Sequence, residues 1–534
     1  MATPLHARQG QDDQQTHAAS ERREPTGVPN LDRVLGGGLP RGALVLVMGQ
    51  PGSGKTTLAS QIVLHAAKSS KTVLILTTLS ESTSKLIRHL SSFTFFDRAL
   101  IGGAVQFLSL QQVLSQGLSA VAAAVFAEAR RINAQYVLLD GLRGLPEVDS
   151  QPQAAREFLY DIGATFDALG VTTLITSETD PRDATFFPEA TTADLILGLH
   201  YSLLGVRQVR GIEVVKARGS APLAGMHALV LDGDGVTVYP QLEERISAGP
   251  LADHEPGAGR WPGNVERADF GLPEFDGMLR GGIPRGTCTL LAGNLGTGKT
   301  LLALMYALAG VRAGERVVML GFRESREQLL RVGQPFAMGQ ELARALAPDG
   351  PLSFLEVPPI KINADVLADR LLTTLDRTGA RRLVIDSVAE LERAVLRGFD
   401  PQRLEEYLAA LLQALRQRNV TALLIKETDK VVAASWELSA DALSVLAENV
   451  LLLRHIPFQG DLHRNISVLK LRFSDHDTAT REFRIHAPEG FRVLNRAASE
   501  VGVLDGIVRG QERRERDDRR PRSSRPPRAR EEGG

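Results

Sequence analysis

Two loops of the form G-x-x-x-x-G-K-[ST], 244 residues apart, constrain this 534-residue chain more than any other feature of it. Gly49-Gln50-Pro51-Gly52-Ser53-Gly54-Lys55-Thr56 and Gly293-Asn294-Leu295-Gly296-Thr297-Gly298-Lys299-Thr300 each follow a short apolar run, Ala43–Met48 and Cys288–Ala292. Each opens an apolar stretch of helical period, Leu58–Ala67 and Leu301–Val311. A strand, a glycine loop and a helix in that order make a phosphate cradle. The glycines let successive backbone N–H groups curl around the β-phosphate, and the helix N-terminus adds a favourable dipole. Lys55 and Lys299 would reach the β- and γ-phosphates, and the hydroxyls of Thr56 and Thr300 would ligate Mg²⁺. Thr57 and Leu301, next along, are counted with the nucleotide-binding residues. Two matches in matching settings leave no room for chance. The chain binds nucleotide.

The loops belong to a longer repeat. Gly27–Gly42 (GVPNLDRVLGGGLPRG) aligns without gaps to Gly271–Gly286 (GLPEFDGMLRGGIPRG) at the same interval of 244 residues. Further on, Glu81 pairs with Glu324, Asp140 with Asp386, Glu178 with Glu427, and Lys216-Ala217-Arg218 with Lys470-Leu471-Arg472. The interval drifts only from 243 to 254, so insertions are small and fall in loops. One domain of about 220 residues has been duplicated in tandem. In the first copy, Thr72–Thr78, Val105–Leu110, Tyr136–Asp140 and Thr172–Ser177 read as strands, with helices over Ser84–Phe93 and Ala120–Arg131. That alternation predicts an α/β fold with a mainly parallel sheet flanked by helices on both faces. After Leu195 the pattern turns to strands alone, with a hairpin at Asp232–Gly235, which predicts a C-terminal antiparallel β extension on each copy. The expected organisation is a disordered start over 1–24, a first domain over 25–245 and a Pro- and Gly-rich linker over 246–263. A second domain follows over 264–498, and an Arg-rich disordered tail over 499–534.

Net charge is −1, and no aromatic residues interleave with the arginines of the tail, which argues against nucleic acid as a partner. No run of 18 apolar residues is present and the N-terminus lacks a signal-peptide pattern, so the expected setting is cytoplasmic, with no membrane partner. The single cysteine, Cys288, excludes an internal disulfide framework and reads as a buried thiol.

These residues together resemble KaiC-type ATPases, the double-domain branch of the RecA/DnaB-like superfamily. The G-[VL]-P-x-[LF]-D-x-x-L-x-G-G-[LI]-P-R-G leader before each loop and the K-x-R near each domain's end carry the likeness most specifically. The resemblance implies two tandem RecA-like P-loop domains, a ring-shaped homo-hexamer with ATP at the subunit interfaces, and unidentified regulatory protein partners. It also implies ATP hydrolysis, with autophosphorylation in the clock members.

Val137–Asp140 and Leu383–Asp386 are apolar strands ending in aspartate, so Asp140 and Asp386 are expected to hold the Mg²⁺ shell beside Thr56 and Thr300. Hydrolysis also needs a base for the attacking water. The family has an adjacent pair of glutamates after the second strand; here Ser80-Glu81 and Arg323-Glu324 keep only the second member. Glu81 and Glu324 are thus the remaining candidates, against a capping role, and slow turnover is expected. Arg323 is open to neutralising a phosphate or pairing with Glu324. Glu178 and Glu427, at the ends of the next core strands, either sense the γ-phosphate or hold structure. Resemblance makes Lys216, Arg218, Lys470 and Arg472 ligands reaching the ATP of a neighbouring subunit, with His476 as a further cationic contact. The clock members' Ser-Thr acceptor pair becomes Ser444-Val445, so a two-site phosphorylation cycle is impossible there and only Ser444 remains as a candidate phosphosite. Three functions stay open: a slowly hydrolysing hexameric regulator, a serine autokinase, and a DNA-directed motor.

Overall fold

The computed structural model describes residues 23–78, 82–145, 152–182, 191–204, 207–248, 266–428, 442–458 and 461–497. They form two compact units, each built on a nine-stranded sheet. The first has β1 (Leu44–Gly49), β2 (Val73–Thr77), β3 (Val105–Ser109), β4 (Tyr136–Asp140), β5 (Thr172–Ser177), β6 (Leu195–Leu204), β7 (Arg207–Ala217), β8 (His227–Asp232) and β9 (Gly235–Tyr239). Their order across the sheet is β3-β2-β4-β5-β1-β6-β7-β8-β9. All pairs from β3 to β6 are parallel, and those from β6 to β9 antiparallel. The extension therefore starts one strand later than the sequence pattern suggested. β6, which begins at Leu195, lies parallel to β1.

The reason β1 reads as an unbroken apolar run is that helices cover both of its faces. Val45 and Val47 pack with Leu58 and Ile62 of α1 (Lys55–Lys68). Leu44, Leu46 and Met48 pack on the other face with Val125 of α3 and Phe158, Ile162 and Phe166 of α4. Here α2 is Thr83–Leu90, α3 Leu118–Arg131 and α4 Pro152–Leu169. Burying each such side chain contributes about 1.5–3 kcal/mol. The Asp232–Gly235 hairpin forms as its sequence indicates, with the Asp234 N–H donating to Asp232 Oδ1 at 2.9 Å.

The second unit has β10 (Cys288–Gly293), β11 (Val317–Gly321), β12 (Leu352–Glu356), β13 (Arg382–Asp386), β14 (Thr421–Glu427), β15 (Asn449–Phe458), β16 (Asp461–Leu471), β17 (Arg481–His486) and β18 (Gly490–Ala497). Their order, β12-β11-β13-β14-β10-β15-β16-β17-β18, is that of the first sheet strand for strand. Helix α5 (Lys299–Arg312) packs Leu302 and Tyr306 into one core with Leu291, Val384 and Leu423. Helix α6 (Arg326–Gly333) starts at a capping box in which Ser325 Oγ accepts from the Gln328 N–H and the Gln328 side chain accepts from the Ser325 N–H. Helix α7 (Val388–Leu396) follows β13. Cys288 is buried, and burial foremost pushes its thiol up to about 12, so it is an inert core group.

The repeated leader has a structural job in both units. Asp32 accepts from the Thr26 N–H at 2.9 Å, and Asp276 accepts from the Phe270 and Leu272 N–H groups at 2.8 and 2.9 Å. Arg23–Glu24 pairs with Leu39–Pro40, and Arg267–Ala268 with Ile283–Pro284. The first of these strands lies two residues inside the segment expected to be disordered; the rest of that segment and the 499–534 tail lie outside the described residues. Among the described residues no helix is long and apolar enough to cross a membrane.

Candidate functional site

Each phosphate loop emerges from the carboxyl end of the strand at the middle of its sheet, where adjacent strands leave a crevice. The loop glycines are required by close approach. A Cβ on Gly49 would stand 2.4 Å from the Leu199 carbonyl oxygen, and one on Gly293 2.5 Å from that of Leu453. Gly54 and Gly298 start their helices with φ of 104° and 100°, in the left-handed region. Gly52 and Gly296 also have positive φ, which turns the backbone N–H groups inward.

Lys55 and Lys299 are 8% and 7% exposed. Lys55 Nζ donates to the Gln50 carbonyl at 3.1 Å, and Lys299 Nζ to those of Gly293 and Asn294 at 2.9 and 2.8 Å. Burial lowers the pKa of both ammonium groups. Glu178 and Asp140 oppose that shift in the first site, and Glu427 and Asp386 in the second. Those carboxylates therefore stand near enough to each lysine to act on its charge. Ser53 Oγ is buried without a hydrogen-bond partner, and Thr297 Oγ1 donates to the Asn294 carbonyl at 2.8 Å. Thr57 and Leu301 are buried behind the loops, in the first turn of α1 and α5.

The hydroxyl–carboxylate pairs assemble in both copies. Thr56 Oγ1 lies 3.0 Å from Asp140 Oδ1, and Thr300 Oγ1 lies 2.7 Å from Asp386 Oδ2. Burial raises the pKa of both aspartates. For Asp386 the value reaches about 6, with the neighbouring Glu324 charge adding to burial and the Thr300 hydrogen bond opposing it. A hydroxyl and a carboxylate are hard oxygen donors that suit Mg²⁺ when phosphate oxygens complete the shell. Ser387, next to Asp386, keeps a buried Oγ with no hydrogen-bond partner. Among the described residues no cluster of three or more His, Cys, Asp or Glu could hold a metal.

Sequence reasoning passed over two contributors. Thr176 Oγ1 donates to Asp140 Oδ1 at 2.8 Å and accepts from the Gly141 N–H at 2.8 Å, fixing the carboxylate. Its signal was a run of threonines in an otherwise apolar buried strand. Glu390, four residues after Asp386, is the second. It is buried and accepts from Arg323 Nη2 at 3.3 Å and Arg393 Nη1 at 2.6 Å. Arg323 does not pair with Glu324, as one reading allowed, but with Glu390 and Glu427. Glu324 lies in the bend between β11 and the Ser325 cap, close enough to Asp386 to raise its pKa. Its counterpart Glu81 lies outside the described residues, as does Ser80.

The Lys-x-Arg pairs sit at the opposite end of the sheet. Lys216 pairs with Ile196, which lies beside Leu46, three residues below Gly49. Lys470 pairs with Val450, beside Leu290, three residues below Gly293. Three residues of strand are about 10 Å. Both lysines also point further from the loops: Lys216 Nζ donates to the Thr191 carbonyl at 3.1 Å, and Lys470 Nζ to that of Ala447 at 2.6 Å. Arg218 donates to Asp194 Oδ1 at 3.2 Å and to the same Thr191 carbonyl at 3.4 Å; Arg472 is exposed. His476 is half-buried in the connection between β16 and β17. Ser444, half-buried in the short helix Ala442–Leu446, lies beside Lys470, whose Nζ reaches the Val445 carbonyl at 3.3 Å.

A family model described as "ATPase: KaiC" matches residues 24–243 and again 268–498. The chain is similar to the circadian clock oscillator protein KaiC of Picosynechococcus sp., 27% identical over 510 residues covering 90% of this chain and 94% of that protein. It is 26% identical over 517 residues to the protein of that name from Rippkaea orientalis, covering 92% of this chain and 95% of the relative. The circadian clock oscillator protein KaiC 1 of Synechocystis sp. is 25% identical over 510 residues, 91% and 94% of the two chains. With the family's domain matched twice over most of its length, the chain belongs to the KaiC family of ATPases.

Proposed function

We propose that this protein is a hexameric, slowly hydrolysing ATPase that binds ATP·Mg²⁺ at both loops and uses its nucleotide state to regulate partner proteins. One observation carries the reading. In both copies the phosphate loop and its Thr–Asp pair stand at one end of the sheet, while Lys216–Arg218 and Lys470–Arg472 stand at the other. A cation about 10 Å down the strand and turned away cannot complete the site of its own domain. In a ring it would be placed to reach the site of an adjacent chain, as an arginine-finger arrangement does. Slow turnover follows from Ser80 and Arg323, neither of which can accept a proton where the family has a glutamate.

Light scattering with ATP is expected to show a particle about six times the 57.8 kDa chain; a stable monomer would sink the proposal. Arg218→Ala and Arg472→Ala should each reduce phosphate release at the matching site at least tenfold while leaving nucleotide content unchanged. The autokinase reading keeps one supporting observation. Ser444 neighbours Lys470, so it belongs with the groups turned toward another chain, and any donor ATP would come from there.

A further inference from the structure

Strand β11 ends at Gly321, and Arg323 lies two residues on, in the bend that leads to the Ser325 cap. In the sheet, β11 is separated from β14 by β13, the strand that ends in Asp386. The Arg323 guanidinium nonetheless reaches Glu427 at the end of β14, Nη1 donating to its two carboxylate oxygens at 3.1 and 3.3 Å. Adjacent strands lie about 4.8 Å apart. The side chain therefore spans the end of β13 and lies over the crevice at the carboxyl ends of the strands, where phosphate groups bind in sheets of this kind. Both it and Glu427 act electrostatically on the Lys299 ammonium.

The two carboxylates that hold this guanidinium differ. Glu390 is 8% exposed and is itself fixed by Arg393, so it anchors Nη2 from the protein side. Glu427 is 32% exposed and faces the crevice. A guanidinium bonded on one side to a buried carboxylate that Arg393 fixes, and on the other to a more exposed one, can exchange the exposed partner for a phosphate oxygen, which it binds with the same charge-assisted fork geometry. A ligand shifts such a pair only as far as it interacts differently with the two states. ATP and ADP differ by the terminal phosphoryl group, which the lysine of such a loop would reach, and Arg323 is near enough to Lys299 to act on its charge.

We propose that Arg323 reads the γ-phosphate at the second site. With ATP bound it leaves Glu427 for the terminal phosphate while keeping Glu390, and with ADP bound it stays on Glu427. The second site thereby prefers ATP over ADP through one side chain. This rests on the reading that the second loop binds nucleotide. Affinities for fluorescent ADP and a fluorescent γ-thio analogue of ATP, measured on the full chain carrying Lys55→Ala to silence the first loop, test it. Arg323→Ala is expected to weaken the ATP analogue at least tenfold and ADP less than twofold, and Arg323→Lys to recover part of the loss. Retained ADP binding shows that each variant is folded. An equal loss for both nucleotides, or no loss for either, overturns the proposal. A Lys55→Ala chain that takes up neither nucleotide overturns the nucleotide-binding reading and this proposal with it.

Discussion

Lys299→Ala should leave the chain with one nucleotide instead of two, and Lys55→Ala should do the same at the other loop. The ammonium of Lys299 is buried among loop carbonyls, with Glu427 and Asp386 near it. Burial is the largest influence on it and lowers its pKa, so a phosphate anion, which stabilises the charged form, is a better partner than the carbonyls that hold it now. Truncation removes that cation from beside the phosphates. A hydrogen bond to a charged group is worth about 1.5–3 kcal/mol, so the loss in affinity should be about 10- to 100-fold per site. Nucleotide counted per chain by mass, at a concentration just saturating for the unaltered protein, checks this. Two nucleotides remaining in either single variant would show that the loops are not the binding sites.

The parts legible in the sequence are those where chemistry imposes a local pattern. The loops and the Asp232–Gly235 hairpin require particular residue types at fixed spacing, each Thr–Asp pair requires an aspartate at the end of an apolar strand, and the residues meet as their patterns indicate. The duplicated topology was readable because a nearly constant interval, 243 to 254 residues, links the motifs. Other features escaped. Helix α4 was not named, and β6 was assigned to the antiparallel extension although it lies parallel to β1. Strand direction depends on which neighbour a strand meets, and that is a tertiary fact. The partners of Arg323 escaped for the same reason. Glu390 is 67 residues away in the chain and Glu427 104, the one brought within reach by helix α7 and the other by strand order.

Glu324→Gln is expected to slow phosphate release at the second site about 100-fold or more while nucleotide stays bound. Loss of a general base costs about 10²–10⁴-fold, and an amide of the same shape cannot accept the proton. On a regular strand Arg323 and Glu324 would face opposite ways, which would take Glu324 out of the site if Arg323 is in it. The chain avoids this because β11 stops at Gly321 and both residues lie in the bend that the Ser325 cap closes. Arg323 meets Glu427, and the Glu324 charge acts on Asp386, whose carboxylate lies 2.7 Å from the Thr300 hydroxyl. The carboxylate thus acts on the pair proposed to hold Mg²⁺, where an attacking water would be oriented. Release measured in a Lys55→Ala chain isolates the second site, and an unchanged rate would exclude Glu324 as the base. Phosphopeptide mapping of the same samples separates water from Ser444 as the acceptor. Stoichiometric phosphate on Ser444 that disappears in Glu324→Gln would make the protein an autokinase, since the base would then be serving the Ser444 hydroxyl.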